Sequence, residues 1–207
     1  MTRVQISALL VLAASSWALV LWVSGAEIGY EDLKPFSVTV SVLVGAVVLF
    51  NLYCWRWPIF RGWLADRPVL KGSWKVQLSS SFKDEGAADR KEIEAYFIVR
   101  QTYLHTSIRA FTAETSSKTL SVHLTKDEDG VWTMEGVYLD TPSTSVRDRS
   151  QIHFGAFHVV LSGNPVSSFQ GQYWTDRETR GNLASMGSAA PATYGSFEEA
   201  KRAHAPI

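Results

Sequence analysis

The sequence predicts two N-terminal transmembrane α-helices followed by an all-β, antiparallel, eight-stranded barrel with a short C-terminal helix. Three observations lead to this fold class. Uncharged, mostly apolar stretches occupy residues 4–26 and 35–55, and each reaches the roughly 20 residues that a helix needs to cross a bilayer. From residue 72 onward, short runs of β-branched and aromatic residues alternate with turn-forming residues. The charges are unevenly spread, since residues 1–63 hold only seven of the 40 charged residues.

The apolar segments predict a membrane anchor over residues 1–63 and a separate β-barrel domain over residues 64–207. The two transmembrane helices are placed at about 4–24 and 35–55. Neither stretch carries an ionised side chain, which would be costly to bury in hydrocarbon. A cleaved signal peptide is the alternative for the first stretch, although its apolar run is longer than the 7–15 residues usual in such peptides.

The charges beside the two predicted helices indicate how the anchor is oriented. Arg3 precedes the first helix, and Arg56 and Arg61 follow the second. The connector 27–34 carries three acidic residues and one basic residue. Because positively charged flanks remain on the cytoplasmic side, both termini and the barrel are expected in the cytoplasm.

Eight runs in the second part of the chain have the composition and length of β-strands. They are residues 72–79, 92–102, 104–114, 117–126, 131–140, 151–162, 166–175 and 179–187. Most of the connections are short, and residues 127–130 and 162–165 have the composition of hairpin turns. Consecutive antiparallel strands of this kind favour an up-and-down barrel, which leaves no exposed sheet edge. A two-sheet sandwich is the alternative that periodicity alone leaves open.

Alternation of apolar and polar residues predicts which face of each strand points inward. In the fourth run Leu120, Val122 and Leu124 are expected to share the inner face. In the fifth run Trp132, Met134, Gly136 and Tyr138 share it, and in the seventh run Phe169, Gly171, Tyr173 and Thr175 do. After the last strand, residues 196–199 read Ser-Phe-Glu-Glu, a capping box that begins a short helix ending near His204.

Motifs of enzymatic chemistry are missing from the sequence. It contains no Walker loop, no nucleophile elbow, no dinucleotide-binding glycine motif and no zinc-protease motif. Cys54 is the only cysteine, so the chain has no internal disulfide. His153 and His158 are five residues apart and therefore lie on opposite faces of one strand, which argues against a shared metal ion. We expect a ligand-binding protein that is not an enzyme, without a metal or cofactor. The zero net charge gives no indication of DNA or RNA binding.

Several local sequences, together with the overall layout, point to a known family. They are Leu70–Trp74, Gln101-Thr102, Arg109 before the Glu114–Ser116 turn, and above all Gly171–Gly181, which reads Gly-x-Tyr-Trp-Thr-x-Arg-x-Thr-x-Gly. In these features the chain resembles the SMODS-associating, two-transmembrane, β-strand-rich effectors of bacterial CBASS anti-phage defence.

The resemblance implies a function in phage defence. In that family a cGAS-like nucleotidyltransferase makes a cyclic nucleotide during infection. The β-barrel binds this activating ligand, the protein forms a homo-oligomer, and the bacterial inner membrane is disrupted, so that growth stops or the cell dies. The expected partners are therefore a cyclic dinucleotide, the lipid bilayer and further copies of the same chain.

A cyclic dinucleotide has two phosphates and two flat bases, so its site needs cations, aromatic planes and polar groups. Residues 173–181 supply all three types. The candidate ligand-binding residues are Gln101, Thr102, Arg109, Tyr138, Tyr173, Trp174, Thr175, Arg177, Thr179 and Arg180. For the arginines the alternative is a solvated surface position. For Tyr173 it is ordinary core packing, and for Trp174 it is an outer groove or interface.

Two other functions remain open at the level of the sequence. A membrane-tethered, lipocalin-like barrel would bind a lipid or another apolar ligand in its interior. A scaffold without enzymatic activity would instead recruit a partner through the outside of the barrel, with Trp174 at the contact.

Overall fold

The computed structural model describes residues 3–23, 40–41, 44–62, 64–81, 91–191 and 193–205. The chain forms two compact units. The first comprises residues 1–65 together with 102–104, and the second comprises residues 66–101 and 105–207.

The first unit begins with an α-helix, Arg3–Val23, which coincides with the first predicted apolar helix. Residues 44–52 are also helical, and the 3₁₀ turns Cys54–Arg56 and Pro58–Phe60 follow. Within the described part of the chain, no helix combines the length and apolar character that a bilayer crossing requires. Of the second predicted helix, residues 35–39 and 42–43 lie outside the described residues, as does the connector 27–34.

The first unit includes residues 102–104 because they bond to its helical segment. Asn51 accepts two hydrogen bonds, from Tyr103 N–H at its backbone oxygen (2.9 Å) and from Leu104 N–H at its side-chain oxygen (3.0 Å). The indole of Trp55 is buried and lies 6.0 Å from the Tyr103 ring, centroid to centroid.

The second unit is a closed, eight-stranded antiparallel barrel. Its strands are β1 (Gly72–Ser80), β2 (Lys91–Gln101), β3 (Thr106–Thr112), β4 (Thr115–Lys126), β5 (Trp132–Pro142), β6 (His153–Ser162), β7 (Ser168–Thr175) and β8 (Arg180–Ser185). Each strand pairs with the next, and β8 closes the barrel by pairing with β1. This confirms the predicted barrel and its eight strands and rules out the sandwich.

One end of the barrel is filled by apolar side chains. Trp74 and Phe169 make edge-to-face contact there with ring centroids 5.2 Å apart, and the Trp74 indole N–H donates to Leu70 O at 2.8 Å. Leu70, Met134 and Val159 are buried in the same cluster. Burial of this apolar surface is the main stabilising contribution to the barrel. It also closes this end, so that a cavity can form only toward the other.

The expected inner face of β4 is wrong at one position. Thr119 pairs with Tyr138 and Ser121 pairs with Val137, so Leu120 is an extra residue that forms a β-bulge. The bulge turns Leu120 outward, where 60% of its surface is exposed, while Leu124 keeps its inward position against the core. Thr119 takes the inner position instead and exchanges hydrogen bonds with Ile108 N–H (2.9 Å) and O (3.2 Å).

The C-terminal helix, Phe197–Ala203, begins at the predicted cap. The Ser196 hydroxyl accepts a hydrogen bond from Glu199 N–H at 3.3 Å, and the Glu199 carboxylate accepts one from Gly195 N–H at 2.9 Å. The helix covers the outer face of β2, where Tyr96 contacts Phe197 and His204 and is buried.

The bulge predicts different costs for two leucine substitutions on one strand. Leu124→Ala should lower the free energy of unfolding by about 2 kcal/mol, because it leaves a cavity beside the core. Leu120→Ala should change it by less than ~0.5 kcal/mol, as is usual for surface positions. Denaturant unfolding of the full chain in detergent, followed by tryptophan fluorescence, measures both. Equal costs would contradict the bulge.

Candidate functional site

A cavity of about 360 Å³ lies inside the barrel at the end opposite the apolar cluster. Strands of an up-and-down barrel end alternately at its two rims, so this rim collects the ends of β1, β3, β5 and β7 and the starts of the other four. Several polar residues of the cavity lining lie at or beside these positions: Ser80, Lys91, Thr112, Thr115, Asp140, His153, Thr175 and Thr179. The lining also includes the charged residues Glu92, Glu94, Glu114, Arg149 and Arg177. Phe97, Ile108 and Leu183 line its deeper part. An eight-stranded barrel has room for one small ligand.

Three cross-strand pairs of a glycine with an aromatic residue shape the cavity wall. Tyr138 lies opposite Gly155, Tyr173 opposite Gly181, and Phe157 opposite Gly136. A Cβ atom on Gly181 would lie 2.8 Å from Tyr173 Cε1, and one on Gly155 would collide with the Tyr138 ring. Each aromatic ring therefore lies along the wall, over its glycine, and the lumen stays open.

The two tyrosine hydroxyls in the cavity are neutral hydrogen-bonding groups. Burial raises the pKa of Tyr138, and the neighbouring Tyr173, Asp140 and Asp176 raise it further. Burial also raises the pKa of Tyr173, with a smaller opposing effect from a hydrogen bond to Ser80. A tyrosine hydroxyl is protonated at physiological pH even without such a shift, so both hydroxyls can donate to an acceptor on a ligand.

Arg177 supplies positive charge at the rim. Its guanidinium donates to Ser150 Oγ at 2.7 Å and to Arg149 O at 3.3 Å, and its charge acts on the nearby Asp140 carboxyl. The Thr175 hydroxyl accepts a hydrogen bond from Arg177 N–H at 3.3 Å and donates to Thr179 O at 3.4 Å, which shapes the turn between β7 and β8. The turn thus holds the guanidinium beside the cavity, where it can meet an anionic ligand.

Asp140 is a buried carboxyl in the same cavity that our sequence reasoning missed. Burial raises its pKa, while His153, a hydrogen bond from Thr115 and the charge of Arg177 oppose the rise. The Thr115 hydroxyl donates to Asp140 Oδ1 at 3.0 Å, and His153 Nε2 lies 4.0 Å from Oδ2. Asp140 could have been predicted from strand alternation, because it shares its strand face with Tyr138 and Met134, which were expected to face inward.

The structure brings five of the predicted ligand-binding residues together in the cavity lining: Tyr138, Tyr173, Thr175, Arg177 and Thr179. The inward orientation expected for Tyr138, Tyr173 and Thr175 is confirmed. Four of these residues come from the run 173–181, and Tyr138 comes from β5.

Gln101 and Thr102 are not part of the cavity lining. The Gln101 side chain accepts a hydrogen bond from Leu70 N–H at 2.8 Å and donates to Pro68 O at 2.9 Å. It is 5% exposed, so its polar atoms are engaged in fixing the segment that leads into β1. Thr102 follows β2 directly and belongs to the first compact unit.

Arg109, Trp174 and Arg180 lie on the outside of the barrel. On β3 the cavity is lined by Ile108 and Ala110, which turns Arg109 outward. Trp174 is 50% exposed, and Arg180 lies opposite it on β8 and is exposed as well. Arg109, Trp174 and Arg180 therefore contribute neither a charge nor an aromatic ring to the cavity lining.

Fold and site together define a ligand-binding β-barrel whose cavity combines aromatic rings, hydroxyl donors and an arginine. Residues 65–186 match the family model of the Cap15 cyclic dinucleotide receptor domain. The match covers more than half of the chain, and the chain therefore belongs to this family of CBASS effectors, as the sequence resemblance indicated. No curated protein matches the chain.

The raised pKa of Asp140 predicts a pH-dependent stability difference. The folded protein binds this proton more tightly than the unfolded chain, whose Asp pKa is about 4, so the stability contributed by the site falls as the pH rises above about 4. Asp140→Asn removes this loss and should raise the melting temperature relative to the wild type at pH 7, with the difference shrinking toward pH 4. The exposed Asp148→Asn is the matched control. Melting curves of the full chain from pH 4 to 8 test this, and a pH-independent difference would contradict it.

Proposed function

We propose that this protein is a membrane-anchored effector of CBASS anti-phage defence whose barrel cavity receives a cyclic dinucleotide. The observation that carries the proposal is the meeting of Arg177, Tyr138 and Tyr173 in one cavity of a chain that belongs to a cyclic dinucleotide receptor family. The cavity volume, about 360 Å³, lies within the range of small-molecule sites.

Each part of such a ligand has a matching group in the cavity. The Arg177 guanidinium pairs with a phosphate, for which its planar, forked donors are suited. The rings of Tyr138 and Tyr173 stack on bases, and their hydroxyls donate to phosphate or base oxygens. Asp140 and Thr115 offer polar contacts for the edge of a base. The chain's own role is binding and signalling, without catalysis and without a metal or cofactor.

The effector step follows from assembly at the membrane. The two apolar N-terminal stretches, with basic residues on their outer flanks, support an inner-membrane anchor with cytoplasmic termini. A ligand shifts a self-association equilibrium only when the assembled state binds it more tightly. We propose that the cyclic dinucleotide, made by a cGAS-like nucleotidyltransferase, favours the homo-oligomer in this way. The clustered anchors then disrupt the inner membrane and cause growth arrest or cell death.

Two arginines near the same turn give a matched test of the site. Arg177→Met removes the charge from the cavity and should weaken cyclic dinucleotide binding about 10- to 100-fold, the value of a hydrogen bond to a charged group. Arg180→Met removes an equal charge from the outer face and should leave binding nearly unchanged. Calorimetric titration of the full chain in detergent, with a panel of purine and pyrimidine cyclic dinucleotides, measures both affinities.

The same variants separate the competing functions. If the folded wild type binds no nucleotide of the panel and mass spectrometry finds a co-purifying lipid, the protein is a lipid-binding barrel. If nucleotide binding is equal in both variants, the cavity is not the site. In cells that make the nucleotide, entry of a membrane-impermeant dye should be lost with Arg177→Met and retained with Arg180→Met.

A further inference from the structure

The cavity contains a carboxylate oxygen that accepts no hydrogen bond from the described residues. Asp140 is 7% exposed and belongs to the cavity lining. Its Oδ1 accepts from the Thr115 hydroxyl at 3.0 Å, whereas Oδ2 lies 4.0 Å from His153 Nε2, which is beyond hydrogen-bond length. An unpaired buried acceptor is costly, so a ligand that fills the cavity binds best when it donates a hydrogen bond to Oδ2.

His153 places a second acceptor beside this oxygen. Its Nδ1 lies 2.9 Å from the backbone oxygen of Gln151, which can only accept, so Nδ1 carries a proton. In the neutral imidazole Nε2 is then an acceptor. His153 also belongs to the cavity lining. The ligand group at this position therefore has to present hydrogen-bond donors.

The other carboxylates of the lining differ from Asp140 in their partners and exposure. Their oxygens accept hydrogen bonds from other side chains, in the pairs Gln77 to Glu92, Tyr96 to Glu94 and Arg149 to Glu114. The side chains of Glu94 and Glu114 are 33% and 42% exposed, against 10% for Asp140. Water can hydrate the remaining oxygens of these glutamates, whereas a ligand in the cavity covers Asp140.

Tyr138 provides a surface that directs the edge of a base toward Asp140. The two residues are two positions apart on the inner face of β5, which separates them by about 7 Å. The Tyr138 ring lies over Gly155 along the wall. Half the width of a base plus one hydrogen bond spans the distance between Tyr138 and Asp140. A base stacked on Tyr138 therefore reaches Asp140 with its Watson–Crick edge.

We propose that Asp140 selects guanine at one base position of the cyclic dinucleotide, an inference that rests on the proposed function. Guanine carries two neighbouring donors on its Watson–Crick edge, N1–H and the 2-amino group, and the two oxygens of a carboxylate accept both. Oδ1 retains a lone pair for this purpose after it accepts from Thr115.

The other bases fit a carboxylate less well. Uracil has one N–H between two carbonyl oxygens, and adenine and cytosine have a ring-nitrogen acceptor beside the amino group. These acceptors would face the carboxylate and repel it, which discriminates against the three bases. A phosphate at Asp140 would bring two anions together, so the phosphates are expected at Arg177 instead.

Guanine selection requires the ionised form of Asp140. Burial raises the pKa of Asp140, but His153, the Thr115 hydrogen bond and the charge of Arg177 oppose the rise. These partners favour the carboxylate, whose oxygens are acceptors only. A protonated carboxyl would instead donate to N1 of adenine and accept from its amino group. A preference for adenine would therefore contradict the proposal.

A comparison of ligands that differ only in their bases tests the selection. Calorimetric titration of the full chain in detergent should give cyclic di-GMP about 10- to 100-fold tighter binding than cyclic di-AMP or cyclic di-UMP. Cyclic di-IMP keeps N1–H but lacks the 2-amino group and should bind about tenfold more weakly than cyclic di-GMP. Cyclic GMP–AMP should bind nearly as tightly as cyclic di-GMP, because each barrel has one Asp140.

An amide at position 140 should shift the base preference toward adenine. Asp140→Asn supplies one acceptor and one donor side by side, the pattern that matches adenine. The ratio of guanine to adenine affinity should fall at least about tenfold. The control Asp148→Asn alters an exposed residue outside the cavity lining and should keep the ratio of the wild type. Both ligands are measured on one sample, so a partly unfolded fraction does not affect the ratio.

Three results would overturn the proposal. The first is a wild type that binds cyclic di-AMP or cyclic di-UMP as tightly as cyclic di-GMP. The second is an unchanged affinity ratio in an Asp140→Asn variant that still binds nucleotide. The third is an equal loss of affinity for all bases in Asp140→Asn, which would place a ribose hydroxyl at Asp140. Absence of binding to every cyclic dinucleotide is a different outcome, because it would contradict the proposed function as well.

Discussion

The open interior of this barrel depends on glycines that face aromatic rings across the strands. An eight-stranded barrel is just wide enough either to fill with side chains or to hold one ligand. Tyr138, Tyr173 and Phe157 would occupy the lumen if the residues opposite them carried a Cβ atom. Gly155, Gly181 and Gly136 let the rings lie along the wall. The wall then offers ring planes and hydroxyls to the space that they leave free.

The polar groups of the cavity follow from its position at one rim. Apolar side chains close the far end, so charged groups lie where strands end and turns begin. Arg177 lies in the turn after β7 and donates to Ser150 and Arg149 in the β5–β6 connection, and Asp140 ends the inner row of β5. Because successive residues of a strand face opposite sides, Tyr173 lines the cavity while its neighbour Trp174 is exposed on the outer face.

The strands and most of their faces were predictable from local sequence, whereas long-range contacts were not. The turn residues and the alternation of apolar and polar residues predicted all eight strands. They also predicted that Tyr138, Tyr173 and Thr175 face the interior of the barrel. Leu120 was misplaced because a bulge depends on pairing with β5, which alternation within β4 does not reveal. The Gln101 side chain forms hydrogen bonds with Leu70 and Pro68, about thirty residues earlier in the chain. Such long-range contacts cannot be predicted from the residues next to Gln101. The inward position of Asp140 could have been predicted from strand alternation, because it is a charged residue on an otherwise apolar strand face.

We propose that a cyclic dinucleotide lies against the tyrosines inside the barrel. Photo-crosslinking of the full chain with azido-purine and azido-uridine cyclic dinucleotides, mapped to single residues by mass spectrometry, tests it most directly. We expect labels on Tyr138, Tyr173 or their neighbours in the cavity lining, and we expect unlabelled ligand to compete with the labelling. Labels confined to the outer face, at Arg109, Trp174 or Arg180, would contradict it.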